Sequence, residues 1–207
     1  MSRKFVVLAD EERWNALRGA APGEEWQKAA DPGSFINATG ADAYFDLRDE
    51  RNSTDLTGIH APVFINSVVH TLSEIKGPAN IIRLNAWPGF TEKETWEISG
   101  EIDVASGAVL KTLHKKSIAV NDVPGFVSAR IIAMIINEAF FARGENVSSE
   151  ADIDTAMKLG TNYPYGPFEW GRKIGLQNIY ALLKKLSGED KKYLPAPELE
   201  KEMNFHS

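Results

Sequence analysis

A chain of 207 residues, 43% hydrophobic and 25% charged, can bury a core in one large domain or two small ones. Its net charge of −6, from 23 Lys and Arg against 29 Asp and Glu, argues against the clustered positive surface that nucleic-acid binding needs. Cysteine is absent, which excludes disulfides, thiolate metal sites and a cysteine nucleophile. No run of ~18 apolar residues is present to span a membrane. The apolar run after Arg3 and Lys4 is shorter than the core of a secretory signal, so a cytoplasmic location is expected.

In the first half, short apolar runs are broken by Gly, Pro, Asn and Asp. Residues 4–9 (KFVVLA), 43–47 (AYFDL), 62–66 (PVFIN), 80–86 (NIIRLNA) and 116–120 (KSIAV) are predicted strands, several near-continuously apolar, as in a sheet covered on both faces. Helices are predicted between them at 11–19 and 102–113, and the alternation indicates a mainly parallel α/β sheet. Residues 48–58 are polar and mixed in charge, the pattern of a surface loop. From Pro124 the pattern turns helical. Residues 125–143 carry apolar side chains around most of the circumference, with Pro124 suited to the first turn and Gly144 to the C-cap. Ser149 is a predicted N-cap for a helix over 150–159 that ends at Gly160. Two more helices are predicted at 168–174 and 176–186, followed by a proline-containing tail expected to be only partly ordered. These changes in texture divide the chain into domains at 1–121 and 122–207.

Several blocks carry a resemblance. Val120-Asn-Asp-Val-Pro-Gly-Phe126 with Arg130, Asn137-Glu-Ala139, Ala151-Asp-Ile-Asp-Thr-Ala-Met-Lys-Leu-Gly160, Tyr163-Pro-Tyr-Gly-Pro-Phe-Glu169 and Gly175-Leu176 resemble, in order and spacing, the C-terminal domain of the 3-hydroxyacyl-CoA dehydrogenases. The first half resembles that family's nucleotide-binding domain more loosely, through 41–46 (ADAYFD), Phe64-Ile-Asn-Ser67, and 82–88 followed by Glu97. The resemblance implies α/β plus all-α architecture: a truncated Rossmann-like domain shortened in its first β–α–β units, then a helical, dimer-forming domain. It further implies a lineage in fatty-acid metabolism, NAD as the family's cofactor, acyl-CoA as ligand class and homodimerisation through the helices.

The family's chemistry meets substitutions at several positions. A dinucleotide's pyrophosphate needs a Gly-rich turn after the first strand, where backbone N–H groups approach it closely. Here Leu8-Ala9-Asp10-Glu11-Glu12 holds three carboxylates, with no glycine before Gly19. Asp10 reads instead as an ordinary N-cap, so no cofactor-binding residue and no bound cofactor are expected. The position of the family's acid/base His is Asn85, and that of its orienting Glu, twelve residues on, is Glu97. An amide cannot serve as a general base. The family's substrate-binding Ser falls near Val68, with Ser67 as a one-residue substitute. The family's Asn is replaced by Ala129, and Ser128 beside it points about 100° away around a helix. The candidate catalytic set is thus Glu97, Asn85 and Ser67.

His60, His70, His114 and His206 lack metal-site spacing, so no metal is expected. His70 either faces the same cleft as Ser67 or belongs to a loop or helix start. Trp87, Phe90 and Trp96 suit core positions vacated by cofactor and catalytic groups. Three functions stay open: a catalytically silent relative with affinity for acyl-CoA, an active oxidoreductase with altered residues, and a non-catalytic dimeric interaction protein.

Overall fold

A computed structural model describes residues 2–49 and 54–205. The chain divides into two compact units, Met1–Phe126 and Val127–Ser207. Residues 122–126 fall in the first unit because their contacts run back into it. Asp122 accepts the backbone N–H groups of Leu72 and Ser73, and Gly125 N–H donates to the Val68 carbonyl at 2.7 Å.

The first unit is built on a seven-stranded sheet. In chain order its elements are β1 (Lys4–Leu8), α1 (Glu11–Ala20), β2 (Glu25–Lys28), α2 (Pro32–Ile36), β3 (Ala43–Asp46), β4 (Val63–Asn66), α3 (Leu72–Ile75), β5 (Ile81–Leu84), β6 (Thr95–Ser99), α4 (Val104–Thr112) and β7 (Lys116–Ala119). The strand order is β2-β1-β3-β4-β5-β6-β7. The first five strands are parallel; β6 runs antiparallel to β5, and β7 is parallel to β6. The order reverses between β1 and β3, where a doubly wound sheet opens a crevice at the carboxyl ends of its strands.

Side-chain alternation builds two cores. Phe5, Val7, Phe45, Phe64, Ile82, Leu84, Trp96 and Ile98 face α1 and α4 side chains such as Leu17 and Val109, with Phe45 and Phe64 stacked 4.9 Å apart. Val6, Leu8, Tyr44, Val63, Ile65 and Ile81 fill the other face with Phe35. Each fully buried aromatic or aliphatic side chain contributes about 1.5–3 kcal/mol.

The near-continuous apolar strands around β1, β3, β4 and β5 match their prediction. Two others differ from it. The polar edge strand β2 and the strand β6 have no long apolar run: β6 instead alternates, sending Trp96 and Ile98 inward. β7 is exposed at all four positions rather than covered on both faces. The first β–α–β unit, β1–α1–β2, is whole, and the short elements are α2 and α3, five and four residues long. Of the expected loop at 48–58, residues 50–53 lie outside the described residues. Leu56 in it is buried, as is Ile59 just after it, so it is not simply a surface loop.

The second unit contains α5 (Ser128–Gly144), α6 (Glu150–Thr161), α7 (Pro167–Ile174), α8 (Leu176–Ser187), a 3₁₀ turn (Lys191–Tyr193) and α9 (Pro197–Phe205). α5 starts at Ser128 and not in the Pro124 turn. Gly125 and Phe126 take φ +91° and +50°, a left-handed backbone that cannot open an α-helix. Gly144 is the last helical residue with Glu145 as C-cap, and α6 runs past Gly160 to a left-handed cap at Asn162. The face of α5 carrying Ile131 is half exposed, so the helix is not enclosed on most sides. The tail is ordered beyond expectation. Asn137, itself buried, donates to the Leu194 carbonyl and accepts Ala196 N–H, at 2.9 and 2.8 Å. Arg143 pairs with Glu198 and Glu202 of α9, and Ala196 and Leu199 are buried. Among the described residues no helix is long and apolar enough to cross a membrane.

Candidate functional site

The carboxyl ends of β1, β3, β4 and β5 end in polar residues. Asp10 caps α1 by accepting Arg13 N–H at 2.9 Å, and the Arg13 guanidinium pairs with the same carboxylate. Arg13 is buried, and its Nε donates to the Ala86 carbonyl at 2.6 Å. Ala86 N–H in turn donates to Asn66 Oδ1 at 3.1 Å, and Asn66 Nδ2 to the Arg48 carbonyl at 3.0 Å. Arg48 binds Asp46 through Nε and NH2, at 2.9 and 2.8 Å, and also meets Thr54. The hydrogen bonds it donates to Asp46 raise the pKa of the Arg48 guanidinium above its usual value despite partial burial.

The candidate set separates into a pair and a neighbour. Arg83 lies opposite Ser99 and Leu84 opposite Ile98 in the β5–β6 ladder. The ladder ends there: Asn85 is the residue after β5, and Glu97 lies next to Ile98 within β6. Asn85 is buried and its Oδ1 accepts Trp87 N–H at 3.1 Å. Ser67 follows β4 and is buried; its hydroxyl donates to the His70 carbonyl at 2.8 Å, and its own carbonyl accepts Arg83 Nε at 2.9 Å.

Ser67, His70 and Glu74 line a cavity of about 360 Å³ with Asp46, Arg48 and Asn66. His70 therefore does border the space beside Ser67, although its side chain is half exposed near Glu74 at 3.9 Å. His206 lies outside the described residues. Trp87 and Trp96 are buried, and Trp96 belongs to the α1/α4 core. Among the described residues no three His, Asp or Glu side chains are grouped to hold a metal.

Arg83 is wholly buried, a charge inside an apolar strand. It pairs with Asp122, donates to the Val123 carbonyl at 3.4 Å and lies 4.8 Å from the Phe126 ring centre. Burial opposes ionisation of Asp122, but N–H donors from Leu72 and Ser73 together with Arg83 hold its carboxyl below the usual value.

The turn after β1 does not fit a dinucleotide. The first N–H groups of α1 are capped by Asp10, which holds Arg13 against it where a pyrophosphate would need bare backbone. Lys28, at the end of β2 where a ribose-binding carboxylate would stand, is paired with Glu11. Arg13, Asp46, Arg48, Asn66 and Arg83 were not singled out from the sequence. A signal existed for Arg83, a cation embedded in NIIRLNA, and for Arg13, three residues after an N-cap Asp.

A mainly parallel doubly wound sheet followed by a helical unit defines a Rossmann-like protein with an all-α extension. Residues 125–205 match the family described as 3-hydroxyacyl-CoA dehydrogenase, C-terminal domain. The chain is 51% identical over 77 residues to 3-hydroxyadipyl-CoA dehydrogenase of Escherichia coli K12, covering 37% of this chain and 16% of that protein. It is 42% identical over 93 residues to 3-hydroxybutyryl-CoA dehydrogenase of Clostridioides difficile, covering 44% of this chain and 33% of the relative. The matched segments thus span a third or less of these relatives' own length. In fold it is similar to (S)-3-hydroxybutyryl-CoA dehydrogenase from Ralstonia eutropha, with TM-score 0.74 and 21% identity, over 100% of this chain and 95% of that one. Residues 125–205 are thus similar to the C-terminal domain of the 3-hydroxyacyl-CoA dehydrogenases.

Proposed function

We propose that this protein has left the NAD-dependent reaction of its family, retains acyl-CoA as ligand class and works as a homodimer assembled through its helical unit. The observation that carries the first part is Asn85, buried directly after β5 where the β5–β6 ladder ends. The resemblance puts the acid/base histidine at that position, and a carboxamide neither takes nor returns a proton near neutral pH. Glu97 keeps its place within β6, so the framework is retained around a changed group. For the dimer, the support is an apolar groove of about 530 Å³ lined by Met134, Ile135, Ile153, Met157, Tyr193 and the half-exposed Ile131. For the ligand class, the support is the names of the relatives, which describe dehydrogenases of CoA thioesters.

The test is to titrate acetoacetyl-CoA and NADH separately by calorimetry, then to combine them and follow absorbance at the nicotinamide band. The expected result is heat from the thioester alone and no turnover. Turnover would overturn the loss of the reaction and favour an oxidoreductase with altered residues. Absence of thioester binding would overturn the ligand class and leave a dimeric interaction protein.

A further inference from the structure

We infer that Arg13 is an internal clamp that closes the carboxyl edge of the sheet, tying together loops that a dinucleotide-binding sheet leaves open for its cofactor. β1 and β5 are three places apart in the sheet, about 14 Å at ordinary strand spacing. That exceeds the reach of an arginine side chain. The Arg13-to-Ala86 bond therefore brings the first turn of α1 and the loop after β5 together across the intervening ends of β3 and β4. The bond from Ala86 N–H to Asn66 at the end of β4 places the loop there directly. Asn66 continues the network to the backbone of Arg48, after β3.

Four strand ends, those of β1, β3, β4 and β5, are thus joined by side chains of this chain alone. The crevice at the β1/β3 reversal lies within that span. Arg13 is buried, and its guanidinium is held from the other side by Asp10, the residue that also caps α1. An approaching phosphate would have to displace Asp10 from both the helix end and Arg13, against two charge-assisted interactions and in the presence of Glu11 and Glu12. This inference stands on the strand ends and not on Asn85, so it is independent of the reading given under Proposed function.

The experiment compares the full-length protein with Arg13→Ala and Arg13→Lys by thermal melting and native-state hydrogen exchange, each with and without NADH. The wild type is expected to show no NADH-dependent change in melting. Arg13→Ala should lower Tm by about 4–8 °C and speed exchange of the Ala86 amide at least about tenfold. Arg13→Lys keeps the charge beside Asp10 but loses the planar Nε donor, and should fall between the two. If Arg13→Ala does not fold, the exchange rate of Ala86 in Arg13→Lys carries the test. Unchanged exchange in the variants, or saturable NADH binding by the wild type, overturns the clamp. Unchanged exchange leaves the loss of the family reaction standing, whereas turnover with NADH refutes that separately.

Discussion

Removing the carboxylate that faces Arg83 should be among the most costly single changes in the first unit. In Asp122→Ala the wholly buried guanidinium loses the carboxylate it pairs with, and the N–H groups of Leu72 and Ser73 lose their acceptor. Breaking a buried ion pair from one side costs about 3–5 kcal/mol. Arg83 still reaches the carbonyls of Ser67 and Val123 and the Phe126 ring, and the Asp122 side chain is 31% exposed, so the expected loss is about 2–4 kcal/mol. In a chain of this size that corresponds to a fall in Tm of roughly 4–16 °C. Urea unfolding of Asp122→Ala, Arg83→Met and the double variant gives the coupling energy directly. A double variant that is more stable than Asp122→Ala alone is expected, since it no longer buries an unpaired charge. The carboxyl of Asp122 is held below its usual value in the folded state. Its contribution is therefore present above the ordinary carboxylate value, about 4, and lost as pH falls through the lowered folded value. The stability gap between wild type and Asp122→Asn should narrow on acidification. A gap within ~0.5 kcal/mol at neutral pH would refute the reasoning.

Restoring the family's base alone should not restore its reaction: Asn85→His is expected to show no NADH oxidation with acetoacetyl-CoA, and activity in that variant would mean the β1 turn admits the cofactor. Ile131→Glu, placed in the apolar groove of α5, should shift the protein from dimer to monomer in sedimentation velocity, whereas an unchanged dimer would move the interface elsewhere. Asn137→Ala should cost about 1–3 kcal/mol by leaving Leu194 and Ala196 without their partner. It should also open residues 194–205 to limited proteolysis, and resistance equal to wild type would show that α9 is held by Arg143 alone.

What the sequence made legible was set by pattern strength. Strands such as β4, four consecutive buried residues, advertise themselves as apolar runs; β2, with two half-buried and two exposed positions, does not. The tail misled because Pro195 and Pro197 suggest disorder, while the residue that orders it, Asn137, lies 59 positions away on α5. The α5 start was displaced for a related reason. Pro124 suits a first helical turn locally, but the Gly125 N–H is taken by Val68 and the Arg83 cation lies against Phe126, which together hold the left-handed turn. Long-range partners of this kind leave no local spacing to read.

The Asn85–Glu97 spacing survives for a more specific reason. Asn85 directly follows β5 and Glu97 lies within β6, so both are held by the ladder in which Arg83 faces Ser99 and Leu84 faces Ile98. Burial of Trp96 and Ile98 in the core fixes which face of β6 points inward, whatever stands at the strand's polar positions. Preservation of the interval cannot by itself argue for catalysis. The identity of residue 85 can, and an amide there weighs against general-base chemistry while leaving the sheet beneath it intact.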